Sequence, residues 1–450
     1  IPPSAIGPTW PLSMGLRADA HLIFTLAILC SAVQANLCTT APSGGSGDLS
    51  IVHVHGGCSP FAGGSVRWAD TVMDMASAVD AQRLAYLSSL SSQKPPIKVP
   101  IASGLQRFNR FVFILRAKVG SAADQTMYMV PDISSDDTWL PCKGCDGCAS
   151  ATFDPGASPT YVAVNCSAPQ CALVQGSRAC PTHAGTCSYD QTYGDADSSF
   201  SAVLSRDNLT LGGSVVPAFT FGCVKAMKGA AVPPQGLLGL GRGGLSLLSQ
   251  AGPLYSGVFS YCLPSFKSPF FAGSLKLGPG GQPSGRTIPL LKNPRRPSLY
   301  YVNLTAVSVG KVTVGVATPW FDPSTGAGTV IDSGTLASRF EASLYARVRE
   351  AFRRALGGNF TSVGTFDTCF PTRDEADMPE VVLHFPGLTV RLPTDSTLIH
   401  RSSGTDACLA MAAAARGSTL NVIGSYQQQN LRVLFDVANS QVGLGFGSCN

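Results

Sequence analysis

The chain has 450 residues, 44% of them hydrophobic and 13% charged, with 48 glycines, 32 prolines and a formal net charge of +5. That length exceeds one small core, the apolar fraction excludes a disordered chain, and the slight charge excess does not imply a nucleic-acid partner. Few charges, many turn formers and short apolar runs point to an all-β protein.

Residues 1–13 precede the first methionine, Met14, and are left unassigned. Arg17, the apolar run Leu22–Cys30 and the small-residue site Val33-Gln34-Ala35 follow. Residues 14–35 therefore read as a secretory signal. The run is too short to span a bilayer, so no stable membrane insertion is expected.

Residues 36–108 read as a removable propeptide. Within them, Val72, Met75, Val79 and Tyr86 fall on one helical face of Asp70–Leu90, and Ser91–Pro100 reads as a linker. Two lobes are expected beyond it, 109–285 and 286–450. Strands are expected at Phe111–Val119, Phe219–Gly222, Phe259–Cys262, Tyr300–Leu304 and Val381–Phe385. Helices are expected at Ser246–Gln250 and Glu341–Leu356, the latter with Leu344, Val348 and Phe352 on one face.

Two segments carry the chemistry. Met129-Val130-Pro131-Asp132-Ile133-Ser134-Ser135 and Val330-Ile331-Asp332-Ser333-Gly334-Thr335 each set an Asp on a small-residue turn after an apolar run. Two carboxylates face to face share one proton, because like charges at contact distance do not both ionise. Such a pair can activate water against a peptide bond. Each Asp is followed, roughly a hundred residues later, by an apolar-apolar-Gly run: Leu237-Leu238-Gly239 and Val422-Ile423-Gly424. This cryptic repeat predicts two pseudo-symmetric halves with a cleft between them.

Cysteines and sequons agree with secretion. Cys142, Cys145, Cys148, Cys166, Cys171, Cys180, Cys187, Cys223, Cys262, Cys369, Cys408 and Cys449 are even in number and can all pair, with the connectivity open. No second CxxC or nearby His pair completes a metal set around Cys142, Cys145 and Cys148, so disulfides are expected there rather than a metal. Asn208, Asn303 and Asn359 head glycosylation sequons, and Asn165 a weaker one.

In this order, Gly236–Gln250, Phe259–Pro264, Ala327–Thr335 and Gln427–Asp436 resemble the pepsin-like aspartic proteases, specifically the plant nepenthesin-like branch. The resemblance runs from about Ser50 to Asn450. It implies a bilobal β-fold, a zymogen, an acid optimum, polypeptide substrates and no metal or organic cofactor. Asp132 and Asp332 become the catalytic pair. Ser134, Ser333 and Gly334 belong to their turns, and Ser135 and Thr335 stand where family hydroxyls bond the outer carboxylate oxygens. Tyr189–Ser199 matches the flap, with Tyr193 and Gly194 at its tip and Trp139 as the tryptophan behind the flap tyrosine. The twelve cysteines fit the branch, including a Cys-rich insertion after the first Asp. A monomer is expected, in the extracellular space or cell wall, with vacuole or plastid as alternatives.

The chain departs from that pattern in three places. Ile133 replaces a Thr whose hydroxyl braces the two Asp loops across the lobes. Pro131 replaces an ordinary strand residue, and Ala196 a flap Gly. Two rival readings follow. One is a weakened or inactive binding or inhibitor protein, against which the intact Asp332-Ser333-Gly334-Thr335 counts. The other is a plastid nucleoid DNA-binding protease. Its only basic runs, Lys292–Arg296 and Arg347–Arg354, read as solvated surface.

Overall fold

Alternation of buried and exposed side chains organises the first lobe. In β2 (Phe113–Val119), the buried positions include Phe113, Leu115, Ala117 and Val119, while Arg116 and Lys118 point outward. The computed structural model describes residues 97–449 except 104–111, 122–124, 149–150, 181–184, 194, 230–231, 234, 267–272, 280–285, 318–321, 323, 373–376, 401–404 and 447–448. The signal, the helix expected at 70–90 and Cys30, Cys38 and Cys58 lie outside these residues.

The remaining elements of this lobe are β1 (Ile97–Ser103), β3 (Thr126–Asp132), β4 (Trp139–Asp146), β5 (Ser188–Tyr193), β6 (Asp195–Leu211), β7 (Ser214–Lys228), β8 (Leu237–Gly239), α1 (Leu247–Ala251), β9 (Val258–Cys262) and β10 (Gly273–Leu277). The second lobe supplies β11 (Tyr300–Val302), β12 (Gly328–Ile331), β13 (Ser338–Phe340), α2 (Ala342–Leu356), β14 (Leu420–Ile423), β15 (Leu431–Asp436) and β16 (Gln441–Phe446), among others. One sheet runs β16-β15-β9-β10-β1-β2-β3-β8-β4-β7-β6-β5, so β15 of the second lobe pairs with β9 of the first. Phe259 and Phe435 stack there with ring centroids 4.9 Å apart, and Tyr300 packs on Phe435 at 4.3 Å. Rings at this spacing join the lobes through one apolar core.

The reading of Ser91–Pro100 as a linker is corrected at residues 97–100. They belong to β1, which pairs antiparallel with both β10 and β2 and buries Val99 and Ile101. Removing β1 would strip two ladders of their partners and uncover apolar core. N-terminal sequencing of any processed form is therefore expected to give a first residue at or before Ile97. A start beyond Ser103 would show that β1 is dispensable.

The halves repeat one another around the two Asp turns. β3 runs parallel to β8 with Asp132 opposite Gly239, and β12 runs parallel to β14 with Ile331 opposite Ile423. A Cβ at Gly239 would lie 2.4 Å from the Asp136 carbonyl oxygen, and one at Gly424 would lie 2.6 Å from that of Leu336. Both glycines thus let one backbone cross closely over the loop that follows an Asp.

Helix α2 starts at Glu341, whose carboxylate accepts from the Ser343 and Leu344 N–H groups. It buries Leu344, Tyr345, Val348, Ala351 and Phe352. Its outward arginines are largely engaged: Arg349 and Arg353 with Asp367, and Arg354 with Glu350. All twelve cysteines pair, as 142–223, 145–148, 166–180, 171–187, 262–449 and 369–408. Asn165, Asn303 and Asn359 are exposed, while Asn208 is half-buried and accepts from the Ala218 N–H.

Candidate active site

The two Asp turns meet between the lobes. A Cβ on Gly334 would stand 3.2 Å from each carboxylate oxygen of Asp132, so that carboxylate lies against the loop that carries Asp332. Each carboxylate is held from its own turn. Asp132 Oδ1 accepts from the Ser134 N–H and the Ser134 hydroxyl, both at 2.8 Å. Asp332 Oδ1 accepts from the Gly334 N–H at 2.9 Å, and its Oδ2 from the Thr335 hydroxyl at 2.6 Å. The Thr335 hydroxyl therefore reaches the second carboxylate oxygen of Asp332.

The Ser135 hydroxyl does not do this for Asp132. It donates to the Asp137 carbonyl at 3.2 Å instead. Ser134 carries a hydroxyl one position earlier, and it bonds Oδ1, the oxygen that the Ser134 N–H also reaches.

The brace between the loops survives in half. Ser333 Oγ donates to the Pro131 carbonyl at 3.0 Å and accepts from the Ile133 N–H at 3.2 Å. Ile133 has no polar atom to return the contact, and its side chain is buried in the apolar core. Pro131 is accommodated by strand alternation. Val130 donates to Gly236 on the β8 side, so the missing N–H at 131 faces the other way, where β2 pairing has already ended at Met129. Ser333→Ala would leave the Pro131 carbonyl and the Ile133 N–H without the hydroxyl that bonds them both. It is expected to lower kcat by about 100-fold and stability by about 1–3 kcal/mol. Ile133→Thr, acting on loops already joined, should change kcat less than about tenfold. Kinetics and denaturant unfolding of both variants check the ranking.

Burial, followed by the Asp332 charge, pushes the Asp132 carboxyl up to about 6, while the bonds from Ser134 and the Ser135 N–H pull it back. The pair is thus set to retain a proton in mild acid.

Two further acids follow directly. The Asp136 carboxylate accepts from the Gly243 N–H at 2.7 Å, from Gln175 Nε2 at 2.8 Å and from the Ser298 hydroxyl of the second lobe. Asp137 is 7% exposed, and its Oδ1 has no hydrogen-bond partner among the described residues. Burial raises its carboxyl to about 6, aided by the Asp136 charge and opposed by the Gln175 N–H. Sequence reasoning missed both. The available signal was two adjacent acids next to a catalytic turn in a chain with few charges.

Strands β5 and β6 form a hairpin, with Thr192 opposite Ser199 and Tyr193 opposite Asp195. Gly194 and the Tyr193 side chain lie outside the described set. Trp139 is buried behind this hairpin, with its ring centroid 4.7 Å from that of Phe200, and Tyr189 meets Phe200 edge-on at 6.0 Å.

Two pseudo-symmetric β lobes closing over paired Asp turns define a pepsin-like fold. The chain belongs to the plant pepsin-like aspartic protease family. The family model described as xylanase inhibitor N-terminal matches residues 113–279, and its C-terminal counterpart matches 299–446. Aspartyl protease AED3 of Arabidopsis thaliana is 49% identical over 96% of this chain and 99% of its own length. Aspartyl protease 25 of Oryza sativa subsp. japonica is 47% identical over 82% of this chain and 89% of its own. Aspartic proteinase nepenthesin-1 of Nepenthes gracilis is 31% identical over 75% of this chain and 78% of its own. Among solved structures, the basic 7S globulin conglutin gamma from lupine seeds superposes with a TM-score of 0.62 at 19% identity, over 79% of this chain and 95% of that one. That likeness speaks for the fold alone.

Proposed function

We propose that the protein is a secreted endopeptidase that cleaves polypeptides in acid through Asp132 and Asp332. The observation that carries this reading is the Asp132 carboxylate lying against Gly334, with each Asp separately oriented by its own turn. A water held between the pair gives a proton to the ionised carboxylate and attacks the scissile carbonyl. The protonated carboxyl gives its proton to the carbonyl oxygen. The tetrahedral intermediate then collapses, the C–N bond breaks, and the amine leaves with a proton returned from the pair. The chemistry needs only these two groups and water.

Paired cysteines and the signal reading support an extracellular location. We read a propeptide that ends before Ile97, followed by lobes 97–285 and 286–450, because β1 belongs to the main sheet. Arginines of α2 held by Asp367 and Glu350 favour a polypeptide over a nucleic-acid partner.

A binding or inhibitor role with weak catalysis is the second reading. It is favoured by the missing half of the brace at Ile133. Cleavage of a denatured protein at about pH 3–5, with and without pepstatin, separates the two. Pepstatin-sensitive cleavage supports the endopeptidase. Its absence from folded, processed protein overturns that reading in favour of binding.

A further inference from the structure

The two halves secure their Asp backbones by different means. In the first half, the Asp132 carbonyl accepts from the Leu240 N–H at 2.8 Å. Leu240 follows Gly239, so its counterpart is Ser425, which follows Gly424. The Ser425 N–H is spent elsewhere, on the Thr335 carbonyl at 2.8 Å. The Asp332 carbonyl instead accepts from Gln428 Nε2 at 3.0 Å. The same amide nitrogen donates to the Ile423 carbonyl at 2.7 Å, which also accepts from the Asp332 N–H at 3.0 Å. One side chain thus closes a ring around the Asp332 backbone.

Gln428 is 1% exposed, and its Oε1 accepts from the Tyr261 hydroxyl on β9. The amide has only one workable orientation. Two carbonyls on one side require the NH2 group, which leaves the oxygen for the phenol. Tyr261 is 2% exposed and comes from the strand that joins the lobes. Asn430, at φ 59°, then turns the chain from this segment into β15.

We propose that Gln428 is a positioning residue for Asp332, doing through its side chain what a backbone N–H does for Asp132. The inference rests on the endopeptidase reading. It also accounts for how the second loop stays in place although the Ile133 side chain returns no hydrogen bond to it. Tyr261 is the ionisable group bonded to Gln428, and Asp332, Tyr300 and Asp132 act on that hydroxyl.

The test compares kcat and KM for wild type, Gln428→Leu, Gln428→Glu and Tyr261→Phe at about pH 3.5, with near-UV circular dichroism as the check on folding. Gln428→Leu removes both donors and the acceptor. It should lower kcat about 100-fold, with KM within about threefold. Protonated Glu regains one donor and one acceptor, so Gln428→Glu should recover to within about tenfold of wild type at this pH, and lose ground as the pH rises. Tyr261→Phe frees the amide orientation and should cost several-fold in kcat. Should the Leu variant not fold, the Glu and Phe variants decide. Wild-type cleavage with folded variants at full kcat, or with the loss confined to KM, overturns the inference alone. Absence of Asp332-dependent cleavage in the wild type overturns the endopeptidase reading and this inference with it.

Discussion

Asp332→Asn is expected to lower kcat/KM roughly 1,000- to 10,000-fold, with the fold intact. The amide matches the carboxylate in shape. It can still accept from the Gly334 N–H and offer its NH2 to the Thr335 hydroxyl. What it cannot do is take a proton from water or hold half of a shared one. Asp132→Asn should be as inactive for the same reason, since its amide oxygen can still accept from Ser134. The two variants differ in stability. Asp132 is 8% exposed, so replacing it removes a buried ionisable group and should stabilise the protein at neutral pH. Inactivity with raised stability is the signature expected at Asp132. Steady-state cleavage of a peptide at about pH 4, with thermal unfolding of the same samples at pH 7, measures both. An Asp332→Asn enzyme within tenfold of wild type would remove Asp332 from the reaction.

Stability should be greatest in mild acid and fall toward neutrality. Asp132 and Asp137 each move from 3.8 to about 6 on folding, both mainly through burial. Between those values the native state holds more protons than the unfolded chain. The free energy of unfolding therefore declines as pH rises through the window, and levels off above about 6. Each group contributes on the order of 2–3 kcal/mol, present in full below the unfolded value and lost above the folded one. Asp154, lowered by the Lys143 ammonium, and Asp322, lowered by the Ser324 hydroxyl, act in the opposite sense. Both are only half-buried, and they lose their effect only below their unfolded value of 3.8. Asp137→Asn keeps an acceptor for the Gln175 N–H while removing the charge. It should raise stability at pH 7 and flatten the slope between pH 4 and 6. Denaturant unfolding of wild type and Asp137→Asn across that range provides the check, and parallel curves would exclude Asp137 as a source of the slope. Catalysis should fade over the same interval, because the Asp132 carboxyl releases its proton there.

Both predictions combine residues that were legible in the chain with partners that were not. The two Asp turns, the glycine of each repeat, the caps of α1 and α2 and most of the core strands follow from local pattern. Val381–Phe385 forms the expected strand, and Glu341 caps the expected helix. These features depend on period, turn chemistry and near neighbours, all of which are written in consecutive residues. The half-brace was also visible, because an Ile has no hydroxyl in any fold.

Tertiary structure decided what those side chains meet. The Ser135 hydroxyl turned to the Asp137 carbonyl, while the Ser134 hydroxyl bonded Asp132. Asp136 found Ser298, 162 positions away, and Tyr261 found Gln428, 167 positions away. The disulfide pairing and the place of Ile97–Ser103 within the main sheet were settled in the same way. Each of these outcomes depends on which buried donors and acceptors remain unpaired once distant strands have crossed. The sequence by itself determined the paired Asp turns and the repeat that brings them together. Only the packed structure decided that one Asp backbone is held by a neighbouring N–H and the other by a glutamine side chain, because a buried carbonyl takes whichever donor the crossing leaves within reach.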